Sequence, residues 1–167
     1  SEFCETFLDE VRVPVANRLG PEHEGWAVTN STLASERGVT IIELAERLMH
    51  NGVGELLRSI ASSVGDDGSP LAADAAVREL VAERYAEAAV LRQLLTTRIT
   101  NIVRRGGVGN EASIVKLYYS ELLQRLMLDA TRLHGLASHV IRPPLMSAGW
   151  ESGDWLYDYI NSYGWTI

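Results

Sequence analysis

Asp74-Ala-Ala-Val77-Arg-Glu-Leu80-Val81-Ala-Glu-Arg-Tyr85-Ala-Glu-Ala88-Ala-Val-Leu91-Arg-Gln-Leu-Leu95-Thr-Thr-Arg-Ile99-Thr-Asn-Ile102-Val-Arg104-Arg105-Gly106 is the stretch that decides the fold. Its apolar residues recur three and four apart, the repeat that places them on one stripe of an α-helix. Asp74 is suited to the positive N-terminal end, and Arg104, Arg105 and Gly106 form a basic close with a breaker. A helix this long with one apolar stripe must bury it against partners. The neighbouring stretches supply them. Upstream, Ile41, Leu44, Ala45, Leu48, Met49, Leu56 and Ile60 keep the same spacing, in a helix predicted to start near Trp26 or Thr32 and end by Gly65. Gly65-Asp66-Asp67-Gly68-Ser69-Pro70 is turn chemistry. Downstream, Ile114, Leu117, Tyr118, Leu122, Leu126, Ala130 and Leu133 define a third helix, with Asn110 as N-cap and Gly135 as stop. Pro143-Pro144 breaks the chain, and a short helix is predicted around Asp154–Tyr163. Short connections make neighbours antiparallel, so the expected fold class is all-α, an up-down antiparallel helical bundle.

The N-terminal segment reads differently. Phe3 to Val15 alternates β-formers with polar residues and runs into Pro14, which predicts a residual N-terminal β-strand followed by the loop Asn17-Arg18-Leu19-Gly20-Pro21. A single strand needs a partner for its backbone groups, and nothing later in the chain reads as one. The strand is therefore expected to belong to a sheet supplied from elsewhere. The domain reading is residues 1–25 as a last strand and linker, and 26–167 as the bundle.

The chain has 167 residues, with 15 Lys+Arg against 22 Asp+Glu, a net charge of −7. Hydrophobic residues are 46% and charged residues 22%, ordinary for a globular domain. The acidic balance argues against a nucleic-acid partner, because phosphates require clustered cations. No apolar run approaches the roughly 20 residues of a membrane span. The acidic residues Glu2, Glu5, Asp9 and Glu10 do not read as a signal peptide, and Cys4 is the one cysteine, so the expected setting is reducing and cytoplasmic. Lys116 is the one lysine; the Arg bias is read as base composition of the genome.

Most chemistry-bearing patterns here have plainer readings. Gly107-Val-Gly109-Asn-Glu-Ala112 matches a dinucleotide fingerprint, but it follows a helix and not a strand, so it reads as a helix–helix turn. Glu46 and His50 stand four apart and occur once, whereas carboxylate-bridged metal bundles repeat Glu-x-x-His on two helices. Metal ligation is not expected. No nucleophile elbow is present. Trp150, Trp155, Tyr157, Tyr159, Tyr163 and Trp165 crowd the end of the chain and read as packing, on the bundle or on a neighbour. Ser35-Glu36-Arg37-Gly38, an acid beside a base early in the first helical stretch, reads by itself as solvated surface.

An ordered series of motifs changes the weight of that last pair. Phe7-Leu-Asp9-Glu-Val11-Arg12-Val13-Pro14, then Asn17-Arg-Leu19-Gly20, then Glu24-Gly25-Trp26, then Glu36-Arg37 resembles the acyl-CoA dehydrogenase family, at the junction of its middle β-domain and C-terminal helices. Gly68-Ser-Pro70-Leu71, Glu111-Ala112-Ser-Ile-Val-Lys116-Leu117 and Leu133-His-Gly135 continue the likeness. The resemblance spans the whole chain, which would cover less than half of a family member and stop short of that family's final loop and helix.

The resemblance implies FAD-dependent oxidation of an acyl-CoA thioester to the 2,3-enoyl-CoA. A carboxylate takes the α-proton while the β-hydrogen leaves as hydride. In one branch the base lies in a C-terminal loop, beyond Ile167 here; in another it is the Glu before the helix Arg, the position of Glu36. Arg37 then matches the arginine beside the substrate cleft. The resemblance also implies an oligomer, homomeric or a heterotetramer of like subunits, and electron-transfer flavoprotein as acceptor. It further implies that the isolated fragment is inactive. Four positions depart from the family's flavin contacts: Val64 stands where an arginine is usual, Asp67 for a phenylalanine, Ala75 for a glutamine, and Arg132 for the glutamine of Q-x-L-G-G. Arg132 is the cofactor-binding candidate, since guanidinium suits a pyrophosphate. The alternatives are a non-catalytic, flavin-poor partner subunit and a helical interaction module using the aromatic tail.

Overall fold

The apolar stripes form the helices they predict. The computed structural model describes residues 5–36, 40–105, 111–139 and 154–166. Its elements are α1 (Gly25–Glu36), α2 (Thr40–Arg47), a π-helical turn (Leu48–Val53), α3 (Gly54–Ser62), α4 (Ala75–Arg105), α5 (Glu111–His134) and α6 (Trp155–Ser162). Short 3₁₀ turns occupy Val15–Asn17, Leu71–Ala73, Gly135–His139 and Tyr163–Thr166. The all-α class holds.

The chain divides into two compact units, residues 1–34 and 35–167. In the first, the expected strand is not formed among the described residues 5–14. Phe7 is 86% exposed, and Leu8, Val11, Val13 and Val15 are also open to water. An extended segment whose backbone finds no ladder partner has nothing to fix it as a strand. The loop that follows is better defined. Gly20 adopts φ +77°, and a Cβ placed there would sit 2.7 Å from Val28 Cγ2 on α1, so glycine is required for the loop to close onto the helix.

The second unit is the bundle. Its first helical stretch runs from Thr40 to Ser62, interrupted by the π-helical turn. Gly52 and Gly54 lie in and just after that turn, where residues without a Cβ accommodate a wider helix at little steric cost. Leu44, Leu48, Val53, Leu56 and Ile60 are buried from this stretch. The connection to α4 is a tight loop: Gly65 donates to the Ser69 carbonyl at 2.8 Å and Leu71 to Ser63 at 3.0 Å, with Gly68 at φ +80°. Asp74 opens α4 as expected, its carboxylate accepting from the Ala76 amide at 2.8 Å.

Val77, Val81, Ala88, Leu91 and Leu95 of α4 meet Val115, Tyr119, Leu122, Leu123, Leu126 and Met127 of α5 in one core. Ion pairs join Arg84 to Asp129 and Glu87 to Arg125. The numbers rise on one helix as they fall on the other, so the two helices are antiparallel. Gly135 ends α5 at φ +52°, and Asp154 caps α6 by accepting from the Tyr157 amide at 3.0 Å. α6 packs on α5. The Asn110 cap and the turn at 107–110 lie outside the described residues.

Candidate functional site

Glu36 is the last residue of α1, and Arg37 lies outside the described residues, so the structure describes only the backbone position of the first. Four further places carry chemistry.

The first is the loop between α3 and α4, where the resemblance places flavin contacts. Val64 pairs with Pro70 in an isolated antiparallel bridge and is 66% exposed. Asp67 accepts from the hydroxyl and the amide of Ser69, and these bonds hold its carboxyl below the ordinary carboxylate range. The loop thus offers a fixed negative charge where a diphosphate would need a cation or a backbone cradle. Ala75 is exposed at the first turn of α4 and has no side-chain donor. These three positions do not fit a flavin diphosphate.

The second is the last turn of α5. Arg132 is exposed and forms no ion pair among the described residues. Its charge is felt by Tyr159 on α6, whose hydroxyl shares a 2.7 Å hydrogen bond with that of Tyr163. That bond pushes the Tyr159 phenol up, and Arg132 pulls it back in part. Arg132 has the charge and the exposure to meet a phosphate, so it is the one of the four positions that fits.

The third was not foreseen from the sequence. Two residues further on, His134 Nε2 lies 2.7 Å from Ser59 Oγ on α3, and its ring stacks on Trp155 of α6, with centroids 6.3 Å apart and planes 10° apart. Burial pushes the His134 imidazole down. It is therefore neutral at pH 7, able to accept from or donate to the serine according to tautomer. The arrangement ties three helices together at one point. Among the described residues no carboxylate pairs with this imidazole, so it reads as a structural junction.

A fourth cluster lies between α4 and α5. Arg84 is 8% exposed; its Nε donates to Asp129 at 2.7 Å, and its Nη1 pairs with Glu87. Arg125 donates to the other oxygen of Glu87 at 3.0 Å, and the Tyr118 hydroxyl donates to the Glu87 carbonyl. Burial disfavours the Arg84 charge, but the two carboxylates more than restore it, so its pKa is raised. The sequence did carry a signal for this cluster: Arg84 and Asp129 sit on the apolar stripes, at 77-81-84-88 and 122-126-129.

Glu46 and His50 stand 3.7 Å apart on the surface, and Glu46 also takes the Arg92 Nε at 2.7 Å. Among the described residues no cluster has the make-up of a metal site, and no helix is long and apolar enough to cross a membrane. Of the aromatic tail, Trp155, Tyr159 and Trp165 pack against the core. Trp150 lies outside the described residues.

The sequence profile described as "Acyl-CoA dehydrogenase, C-terminal domain" matches residues 23–155. No curated protein matches the chain. The profile begins at the loop before α1 and reaches the first residue of α6, so it covers the bundle that the stripes build. The chain therefore belongs to the acyl-CoA dehydrogenase family, of which it carries the C-terminal helical domain.

Proposed function

We propose that this chain serves an FAD-dependent acyl-CoA dehydrogenase as its C-terminal domain, and that Glu36 is the base removing the α-proton of the thioester. The observation that carries the reading is the family match over 23–155, with Glu-Arg standing at 36–37, where one branch of the family carries its base. FAD, when bound, supplies the hydride acceptor. What this chain's residues contribute is a carboxylate at Glu36 to accept the proton, a guanidinium at Arg37 to order the cleft, and a guanidinium at Arg132 for a phosphate. A general base of this kind contributes about 10²–10⁴-fold to the rate. Glu36→Gln in the full-length protein, assembled with any partner subunit, should lower kcat by about that factor. A loss under tenfold would place the base elsewhere, beyond Ile167 or on a partner.

A second reading is favoured by one observation, the charged Asp67 on the α3–α4 loop. It makes this chain a flavin-poor subunit that associates with a competent one of the same fold. The discriminating variant carries Val64→Arg with Asp67→Phe. A gain in bound flavin per chain supports the second reading; unchanged, stoichiometric flavin in the unmodified protein contradicts it. Homomeric or heteromeric assembly and electron-transfer flavoprotein as acceptor complete the proposal.

A further inference from the structure

Apolar contacts do not by themselves fix how far along α4 the helix α5 sits. Val115, Tyr119, Leu123 and Met127 follow one another at four-residue steps on α5, and all are buried. Leu122, Leu126 and Ala130 form a second such row. Slid by about one turn, α5 presents an apolar residue wherever it presented one before. Cores filled with residues of roughly the right size lose a unique arrangement before they lose stability.

The charges on the same seam do not repeat in this way. Asp129, Arg84, Glu87, Arg125 and Glu121 alternate in sign across the two helices. Arg84 Nε donates to Asp129 at 2.7 Å and its Nη1 pairs with Glu87. Arg125 Nη2 donates to Glu87 at 3.0 Å, and its Nη1 lies 3.6 Å from Glu121. Arg84 thus faces position 129 and Glu87 faces position 125. A slip of one turn in one direction sets Arg84 against Arg125 and Glu87 against Glu121. A slip in the other direction sets Glu87 against Asp129, and Arg84 loses Asp129 to Leu133. Each slip opposes like charges, and Arg84 and Asp129 are each only 8% exposed, where water screens such a mismatch poorly.

We infer that Arg84, Glu87, Arg125 and Asp129 are a register key: they select one alignment of α5 on α4 from a set that the apolar stripes leave nearly equivalent. A buried ion pair adds little stability over apolar residues of the same volume, and fixing register is its best-attested use. The consequence reaches the end of α5. A slip of one turn would carry Arg132 and His134 about 6 Å along α4. The key lies inside the bundle and acts independently of Glu36.

The test measures the alignment directly. Spin labels are attached through genetically encoded ketone residues at positions 79 on α4 and 113 on α5 of the full-length protein. Labelled chains are diluted among unlabelled ones, so that pulsed dipolar spectroscopy reads the distance within one chain. The parent should give one distance. The uncharged variant (Arg84→Met, Glu87→Gln, Arg125→Gln, Asp129→Leu) should keep its helix content and add a second distance displaced by about 6 Å, the length of one turn. Exchanging the charges within α5, by Arg125→Asp with Asp129→Arg, should move the main distance by about 6 Å, because only a slipped α5 then brings a carboxylate of one helix to a guanidinium of the other. An uncharged variant with the parent's single distance would overturn the inference, whether or not the exchanged variant folds. So would a folded exchanged variant with the parent's distance, or two distances in the parent.

Discussion

Removing one partner of the Arg84–Asp129 pair should be among the most damaging substitutions outside the proposed active site. Both side chains are 10% exposed and they meet at 2.7 Å, so little water screens them. Asp129→Ala leaves the Arg84 guanidinium in the same place with one carboxylate fewer. Breaking a buried pair from one side costs about 3–5 kcal/mol. Arg84 keeps Glu87 and a weaker contact to Glu83 at 3.4 Å, so the loss falls at or just below the bottom of that range, about 2–3 kcal/mol. For a chain of this size that is a fall in Tm of roughly 4–12 °C. The measurement is reversible thermal and urea unfolding of the full-length protein, with Arg84→Met, Asp129→Leu and the double variant beside it. The double variant removes both charges and fills the space with apolar atoms, so it should lie within about 1 kcal/mol of the parent and above both singles. Singles that cost less than 1 kcal/mol, or a double variant as unstable as their sum, would refute the claim that an unpaired buried charge is the source of the loss.

Gly20→Ala should loosen the loop before α1, since its Cβ would fall 2.7 Å from Val28 Cγ2 at φ +77°. Gly68→Ala, at φ +80° with open space around it, carries backbone strain alone, about 1–2 kcal/mol. Amide exchange at residues 15–24 should rise for the first; equal protection in the two variants would deny the close approach. His134 makes stability depend on pH in a stated direction. Its folded pKa is lowered by burial, so the unfolded chain binds the proton first, from about pH 6.5 downward. The contribution is complete above that value and declines as pH falls toward the folded pKa. His134→Gln should flatten unfolding free energy between pH 7.5 and 5, and an imidazole found to titrate above its ordinary range in the folded protein would reverse the sign.

Much of the bundle was legible because its signal is local. α4, α5 and α6 each carry a stripe and their own end signals: Asp74, Arg104 and Arg105 for α4, Gly135 for α5, and Asp154 for α6. The π-helical turn at Leu48–Val53 was not legible, because single glycines at 52 and 54 leave the three-and-four spacing almost unchanged. The N-terminal strand is not formed among the described residues: the residues favour extension, but a strand exists only with a partner. The stripes mark Arg84 and Asp129 as buried charges, but which residue each cross-helix pair joins, Ser59 with His134 and Arg84 with Asp129, depends on the register of segments 75 and 45 residues apart, which no local pattern encodes. The candidate base was legible only through resemblance, since a lone Glu-Arg pair on a helix is ordinary surface. Asp67 shows the reverse: the sequence marks it as a departure, and the Ser69 bonds show why it stays charged.

The most direct test of the central claim follows the visible spectrum of the full-length protein, anaerobically and with its partner subunits, as acyl-CoA is added. Bleaching of the flavin band by some acyl-CoA, lost in Glu36→Gln with flavin content unchanged, is the predicted result. Bleaching that survives the substitution would contradict the assignment of Glu36 as the α-proton base.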